Sequence, residues 1–166
     1  TCEAGGYCKA TDDCGGGFTP CLAGSYNEKM GSSSPDACQK CPPGTSSPIT
    51  GANSSETCAS CRAGTYGDAS GLSECKDCPA GRYQNDTGAT SCRDCRQGHY
   101  CAKGAAAALP CLEGSYSNAT GLSSSEQCTA CPEGSSCSTG SLEPTACSPG
   151  TVQPEGSQGT CDKCEA

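Results

Sequence analysis

A chain of 166 residues with a net charge of −8 and no cluster of lysine or arginine offers little to nucleic acid or an anionic membrane. Only ten positions are Leu, Ile, Val, Phe or Met (six leucines, Ile49, Val152, Phe18 and Met30), too few to bury a core that offsets chain entropy. Disorder would follow but for twenty cysteines, which point to a disulfide scaffold in an oxidising compartment, secreted or on a cell surface.

Cys-x-x-Gly recurs nine times, starting at Cys2, Cys21, Cys41, Cys61, Cys78, Cys95, Cys111, Cys131 and Cys147. Tyr7, Tyr26, Tyr66, Tyr83, Tyr100 and Tyr116 stand two residues after the glycine, and Ser46, Ser136 and Val152 replace them in the other modules. Self-similarity at so short a period marks a tandem array. In chain order the expected units are a short module over 1–20, then repeats over 21–40, 41–60, 61–77 and 78–94. A short module over 95–110, a repeat over 111–130, a short module over 131–146 and a repeat over 147–163 follow. Residues 164–166 (Cys164-Glu165-Ala166) repeat Cys2-Glu3-Ala4 and read as the start of a module that is cut off. The chain opens at Thr1 with neither Met nor a signal-peptide pattern, which reads as a fragment or processed product.

The regular module is clearest over 61–78, CRAGTYGDASGLSECKDC: Cys-x-x-Gly-x-Tyr, a polar loop, then a closing Cys-x-x-Cys whose last cysteine opens the next module. The first glycine suits a tight corner, and a second, at Gly31, Gly51, Gly71, Gly88 and Gly121, suits a turn joining two short strands. The tyrosine is expected to lie over the neighbouring cystine and to supply much of each module's apolar contact. No stretch keeps helical periodicity, and Ala105 to Ala108 reads as a single turn or spacer. The fold class is therefore small and disulfide-rich: an elongated tandem array of short β-ribbon modules with little helix and no central hydrophobic core.

Spacing suggests one pairing scheme, although it does not fix connectivity. Regular modules pair opener with closer: Cys21 with Cys38, Cys41 with Cys58, Cys61 with Cys75, Cys78 with Cys92, Cys111 with Cys128, and Cys147 with Cys161. The short modules CEAGGYC, CRQGHYC and CPEGSSC pair Cys2 with Cys8, Cys95 with Cys101, and Cys131 with Cys137. Cys14 and Cys164 are left for an irregular or inter-chain bond.

Three Asn-x-Ser/Thr acceptors, at Asn53, Asn85 and Asn118, fall in the polar loops and call for covalent N-linked glycans. Asn85 and Asn118 share one module position. Thr19, Ser34, Ser47 and Ser148, each before a proline, are candidates for O-linked sugar or for turn residues. Six Cys-x-x-Cys pairs admit a zinc reading, which the sequons, the single histidine and the continuous Gly-x-Tyr repeat oppose, so no metal site is expected. His99 occupies a repeat position held elsewhere by Ser25, Thr65 or Ser115. Asp12, Asp13, Asp77, Asp94 and Asp162 are scattered without calcium-loop spacing. No catalytic constellation and no cofactor are expected. No stretch approaches the length of a membrane span, so no membrane insertion is expected in this segment.

The Cys-x-x-Gly-x-Tyr…Gly…Cys-x-x-Cys pattern, running from Cys2 to Cys164, resembles the ephrin-receptor-like cysteine-rich repeats, in the style of tumour necrosis factor receptor and EGF-like modules. The CRQGHYC type is similar to variants in protist and algal surface or filament glycoproteins. That resemblance implies an extracellular rod; the near-identical modules and the glycan acceptors spaced along the chain add the expectation of an extracellular structural glycoprotein, a fibril, mastigoneme-like appendage or cell-surface stalk whose partners are further copies, end to end or side by side. The alternative is a receptor or adhesion ectodomain for a protein or carbohydrate ligand. Interfaces need clustered aromatic or arginine anchors, whereas here the tyrosines belong to the repeat and Arg93, Arg96 and His99 form the one modest basic surface.

Overall fold

The computed structural model describes residues 2–9 and 17–164. Expectations at Cys14, Asp12, Asp13 and Glu165-Ala166 lie outside these residues. Among the described residues every strand belongs to one of nine two-stranded antiparallel ribbons, and there is no α-helix. Each ribbon pairs the residues after a corner glycine with those just before the next opening cysteine. Ser25–Tyr26 pairs with Gln39–Lys40, and Thr65–Tyr66 with Lys76–Asp77. The corner works because glycine tolerates left-handed backbone; Gly44, for one, has φ +82°.

Nine disulfides staple the ribbons: Cys2–Cys8, Cys21–Cys38, Cys41–Cys58, Cys61–Cys75, Cys78–Cys92, Cys95–Cys101, Cys111–Cys128, Cys131–Cys137 and Cys147–Cys161. Regular modules come in two loop lengths, and the difference has a structural reading. Where opener and closer are 17 residues apart, the chain inserts a three-residue 3-10 turn before the closer: Pro35–Ala37, Ser55–Thr57 and Ser125–Gln127. Where they are 14 apart, the turn is missing. Ser34 and Ser54 cap two of these turns, accepting from the Asp36 and Glu56 amides, and Gln127 Oε1 reaches back to the Ser123 and Ser124 amides at the third.

The interior of each unit is made of cystines and small polar groups. Opening cysteines from Cys21 to Cys131 are at most 1% exposed. Beside them, six residues after each opener, lie Asn27, Ser47, Gly67, Gln84, Cys101, Ser117, Cys137 and Gln153, all buried. In two of the short modules that place is taken by the second cysteine, Cys101 or Cys137. The polar members are satisfied locally, as a buried polar group must be. Asn27 Nδ2 donates to the Gly6 carbonyl at 2.8 Å and to Ser32 Oγ at 2.9 Å, and Gln153 Nε2 donates to the Thr160 carbonyl at 2.7 Å. All six tyrosines are half-buried, and the fully buried positions are held by cystines and this second column.

Within each of two compact units, modules are joined by backbone hydrogen bonds of a recurring pattern. The corner Gly24 amide donates to the Ser47 carbonyl at 2.7 Å, the Cys41 amide returns to the Gly24 carbonyl at 2.9 Å, and the turn Gly51 amide donates to the Cys21 carbonyl at 2.7 Å. The same three bonds recur one step on, as Gly44 to Gly67, Cys61 to Gly44 and Gly71 to Cys41. The chain divides into two compact units, residues 1–77 with 86–91, and residues 78–85 with 92–166. The second repeats the scheme, with Gly81 to Cys101, Cys95 to Gly81 and Gly104 to Cys78. Ala105 enters by a parallel bridge to Tyr83, so the alanine run begins as an inter-module contact.

Candidate glycan-bearing surface

The residue six after each opener points inward, so its successor opens the outward loop. Asn85 and Asn118 stand at that successor position, after buried Gln84 and Ser117, and are exposed. Asn53 is also exposed, following Ala52, which is 2% exposed. Asn27, outside any sequon, has its amide committed to Gly6 and Ser32. The Asn118 carbonyl accepts from Gln97 Nε2 of the preceding module at 2.7 Å, which pins that loop's start.

The loop around Asn53 is tied across modules. The Ser55 amide donates to Glu28 Oε1 at 2.8 Å, and this bond holds the Glu28 carboxyl below the usual carboxylate range. Asp68 is likewise held low by its bond to Lys76 Nζ at 2.9 Å. Of the Ser/Thr-Pro positions, Ser47 is fully buried with Oγ accepting from the Ile49 amide, and Ser34 caps a turn. Both are structural residues, and Ser47 is closed to O-linked sugar.

Five of the six Cys-x-x-Cys pairs are divided between two cystines, as with Cys38 bonded to Cys21 and Cys41 bonded to Cys58. At 161/164, Cys161 is in a disulfide and Cys164 is an exposed free thiol. No pair therefore offers a metal two thiolates. The lone imidazole, His99, lies between Arg96 Nη2 at 3.0 Å from Nε2 and the Gln97 carbonyl at 2.9 Å from Nδ1, so part of the basic surface is spent internally. Asp94 pairs with Arg82 at 2.8 Å across one ribbon. An open depression of about 450 Å³ in the first unit is lined by Tyr7, Pro20, Leu22, Pro35 and Lys40 among others.

Residues 52–95, which contain the whole of the CRAGTYGDASGLSECKDC module, match the sequence profile of the family described as tyrosine-protein kinase ephrin type A/B receptor-like. Over residues 52–95 the chain is similar to the ephrin-receptor-like cysteine-rich repeats. No curated protein matches the chain. Ephrin-receptor-like repeats are non-catalytic, receptor-like or structural modules, and nine disulfides fit an extracellular or surface setting. Among the described residues no helix is long and apolar enough to cross a membrane.

Proposed function

We propose that this array of ephrin-receptor-like repeats is an extracellular structural glycoprotein, a disulfide-stapled strut that assembles with its own copies into a fibril, appendage or stalk. The observation that carries this reading is the sameness of the joint. Gly24, Gly44 and Gly81 each donate to the module ahead and accept back from its opening cysteine. A head-to-tail contact of one kind, repeated along a chain, is the interface type that builds linear assemblies. The surface supports the same reading, because its acidic charge and lack of aromatic clusters provide no anchor of the kind that dominates receptor interfaces.

The exposed asparagines of the three sequons carry N-linked glycans in this account, hydrating a thin spine and shielding its loops from proteases. Attachment forms a bond from asparagine Nδ2 to the anomeric carbon of a lipid-diphosphate-linked oligosaccharide, with loss of an amide proton and departure of the lipid diphosphate. Electron microscopy of native, unreduced material at several dilutions tests the assembly. Regular filaments with knob-like density at Asn53, Asn85 and Asn118 are expected. Isolated short particles at every concentration would favour the alternative, an ectodomain that binds a protein or carbohydrate.

A further inference from the structure

The three sequons differ in what stands two residues before the asparagine. At Asn85 and Asn118 it is a repeat tyrosine, giving Tyr83-Gln84-Asn85-Asp86-Thr87 and Tyr116-Ser117-Asn118-Ala119-Thr120; at Asn53 it is Gly51. Gln84 and Ser117 are each 5% exposed, whereas Tyr83 and Tyr116 are half-buried and both asparagines are exposed. Side chains along extended backbone alternate between faces. The inward-facing middle residue therefore leaves tyrosine and asparagine on the same outer face, with Cα atoms about 6.6 Å apart.

The backbone keeps this arrangement through bonds on both sides of the strand. Tyr83 and Tyr116 each end a ribbon strand, opposite Arg93 and Thr129. The next amides, of Gln84 and Ser117, donate to the Ala105 and Ser141 carbonyls of the following module at 3.1 and 3.0 Å. The backbone that carries both rings is therefore fixed before a ligand arrives.

We propose that Tyr83 and Tyr116 are stacking platforms for the first N-acetylglucosamine of the glycans at Asn85 and Asn118. The proposal rests on those asparagines being glycosylated. One face of a β-linked pyranose presents a set of axial C–H bonds carrying partial positive charge, and the face of a tyrosine ring is negative, the same complementarity that draws cations to aromatic rings. A sugar joined to Nδ2 two residues along the same face can lie over the ring without leaving the strand's path. Asn53 lacks the platform and serves as an internal control. The repeat tyrosine thus has a use that its modest burial leaves open: it fixes the root of the sugar and so the direction in which the glycan leaves the spine.

The test uses the full chain secreted from a eukaryotic host, with glycopeptide mass spectrometry to establish occupancy and NMR to read the sugar. Ring-current upfield shifts of the core N-acetylglucosamine protons are expected at Asn85 and Asn118 and not at Asn53. Tyr83→Leu and Tyr116→Leu should each abolish the shift at their own site, and Tyr83→Phe and Tyr116→Phe should keep it; disulfide mapping verifies that each variant is folded. Unoccupied Asn85 and Asn118 would overturn both the glycan reading and the platform. Occupied sites whose sugars resemble those at Asn53 would overturn the platform alone.

Discussion

The corner Gly81 faces the turn Gly121 across an intervening module, with no room for a side chain between them: a Cβ on Gly81 would run into the Gly121 carbonyl oxygen, whereas a Cβ on Gly121 would meet nothing within 4 Å. Both have positive φ, +84° and +75°. Gly121→Ala should therefore cost only the left-handed backbone strain, about 1 kcal/mol. Gly81→Ala should add the overpacking of a backbone carbonyl, for a total of roughly 2–4 kcal/mol. Denaturant midpoints of the two variants measure the difference, and equal losses would contradict the close approach.

The 3-10 turn of the longer modules is a removable insert. Deleting Ser125–Gln127 brings Cys111 and Cys128 to the 14-residue spacing of Cys61 and Cys75. It also leaves Gly121-Leu122-Ser123-Ser124-Cys128, which parallels Gly71-Leu72-Ser73-Glu74-Cys75. This variant is expected to fold with all nine described disulfides, as read by peptide mapping under non-reducing conditions. Deleting two residues instead leaves a 15-residue spacing, one residue out of register with the shorter modules, and should scramble the mapping.

Glu28 gives the stack a pH dependence. Its carboxylate accepts from the Ser55 amide in the next module, so its folded pKa lies below its unfolded value. The stabilisation is complete above that unfolded value, about 4.3, and fades as pH falls through the lower folded one. A carboxylate this exposed contributes little, so the signature is a slope rather than a collapse. Thermal midpoints of the native chain should fall more steeply between about pH 4.3 and pH 2 than those of Glu28→Gln, and identical slopes would remove the linkage.

Much of this fold was legible because the chain repeats its conformational needs as well as its cysteines. All nine corner glycines, from Gly5 to Gly150, have φ between +70° and +91°. The turn position was harder. In the short modules it falls one residue earlier, at Gly104 and Gly140, and in the last repeat Ser157 holds it with φ +63°. A search for glycine at a fixed distance passes over all three. The buried column escaped altogether because Asn27, Ser47, Gly67, Gln84 and Cys101 share no chemistry. Asn27 and Ser47 fit by satisfying their own hydrogen bonds, Gly67 by having no side chain, and Cys101 by bonding to sulfur. The repetition was visible in the sequence, but burial was not. The acceptor asparagines were legible from their sequons, but the buried residue before each of Asn85 and Asn118 was not.

Removing one cross-link should loosen its surroundings without dissolving the array. Cys21→Ala with Cys38→Ala opens a 17-residue loop, which costs about 3 kcal/mol in the chain-entropy account. Loss should be felt first at neighbours bonded to that module, through Gly24 to Ser47 and Gly51 to Cys21. Limited proteolysis should cut around residues 21–60 while leaving the later repeats intact, as expected for a stack with nearest-neighbour coupling. Uniform digestion would mean that the modules unfold as one.

The claim beneath all of these is that cystines, with the inter-module amide bonds they position, hold the chain together in place of an apolar core. Hydrogen exchange before and after reduction tests it most directly. In the native chain the Gly24, Gly44, Gly51 and Gly71 amides, each bonded to a neighbouring module, should be protected, and on reduction at neutral pH all four should lose protection together. Persistent protection of these amides in the fully reduced chain would contradict the account, since something other than the disulfides would then be maintaining the stack.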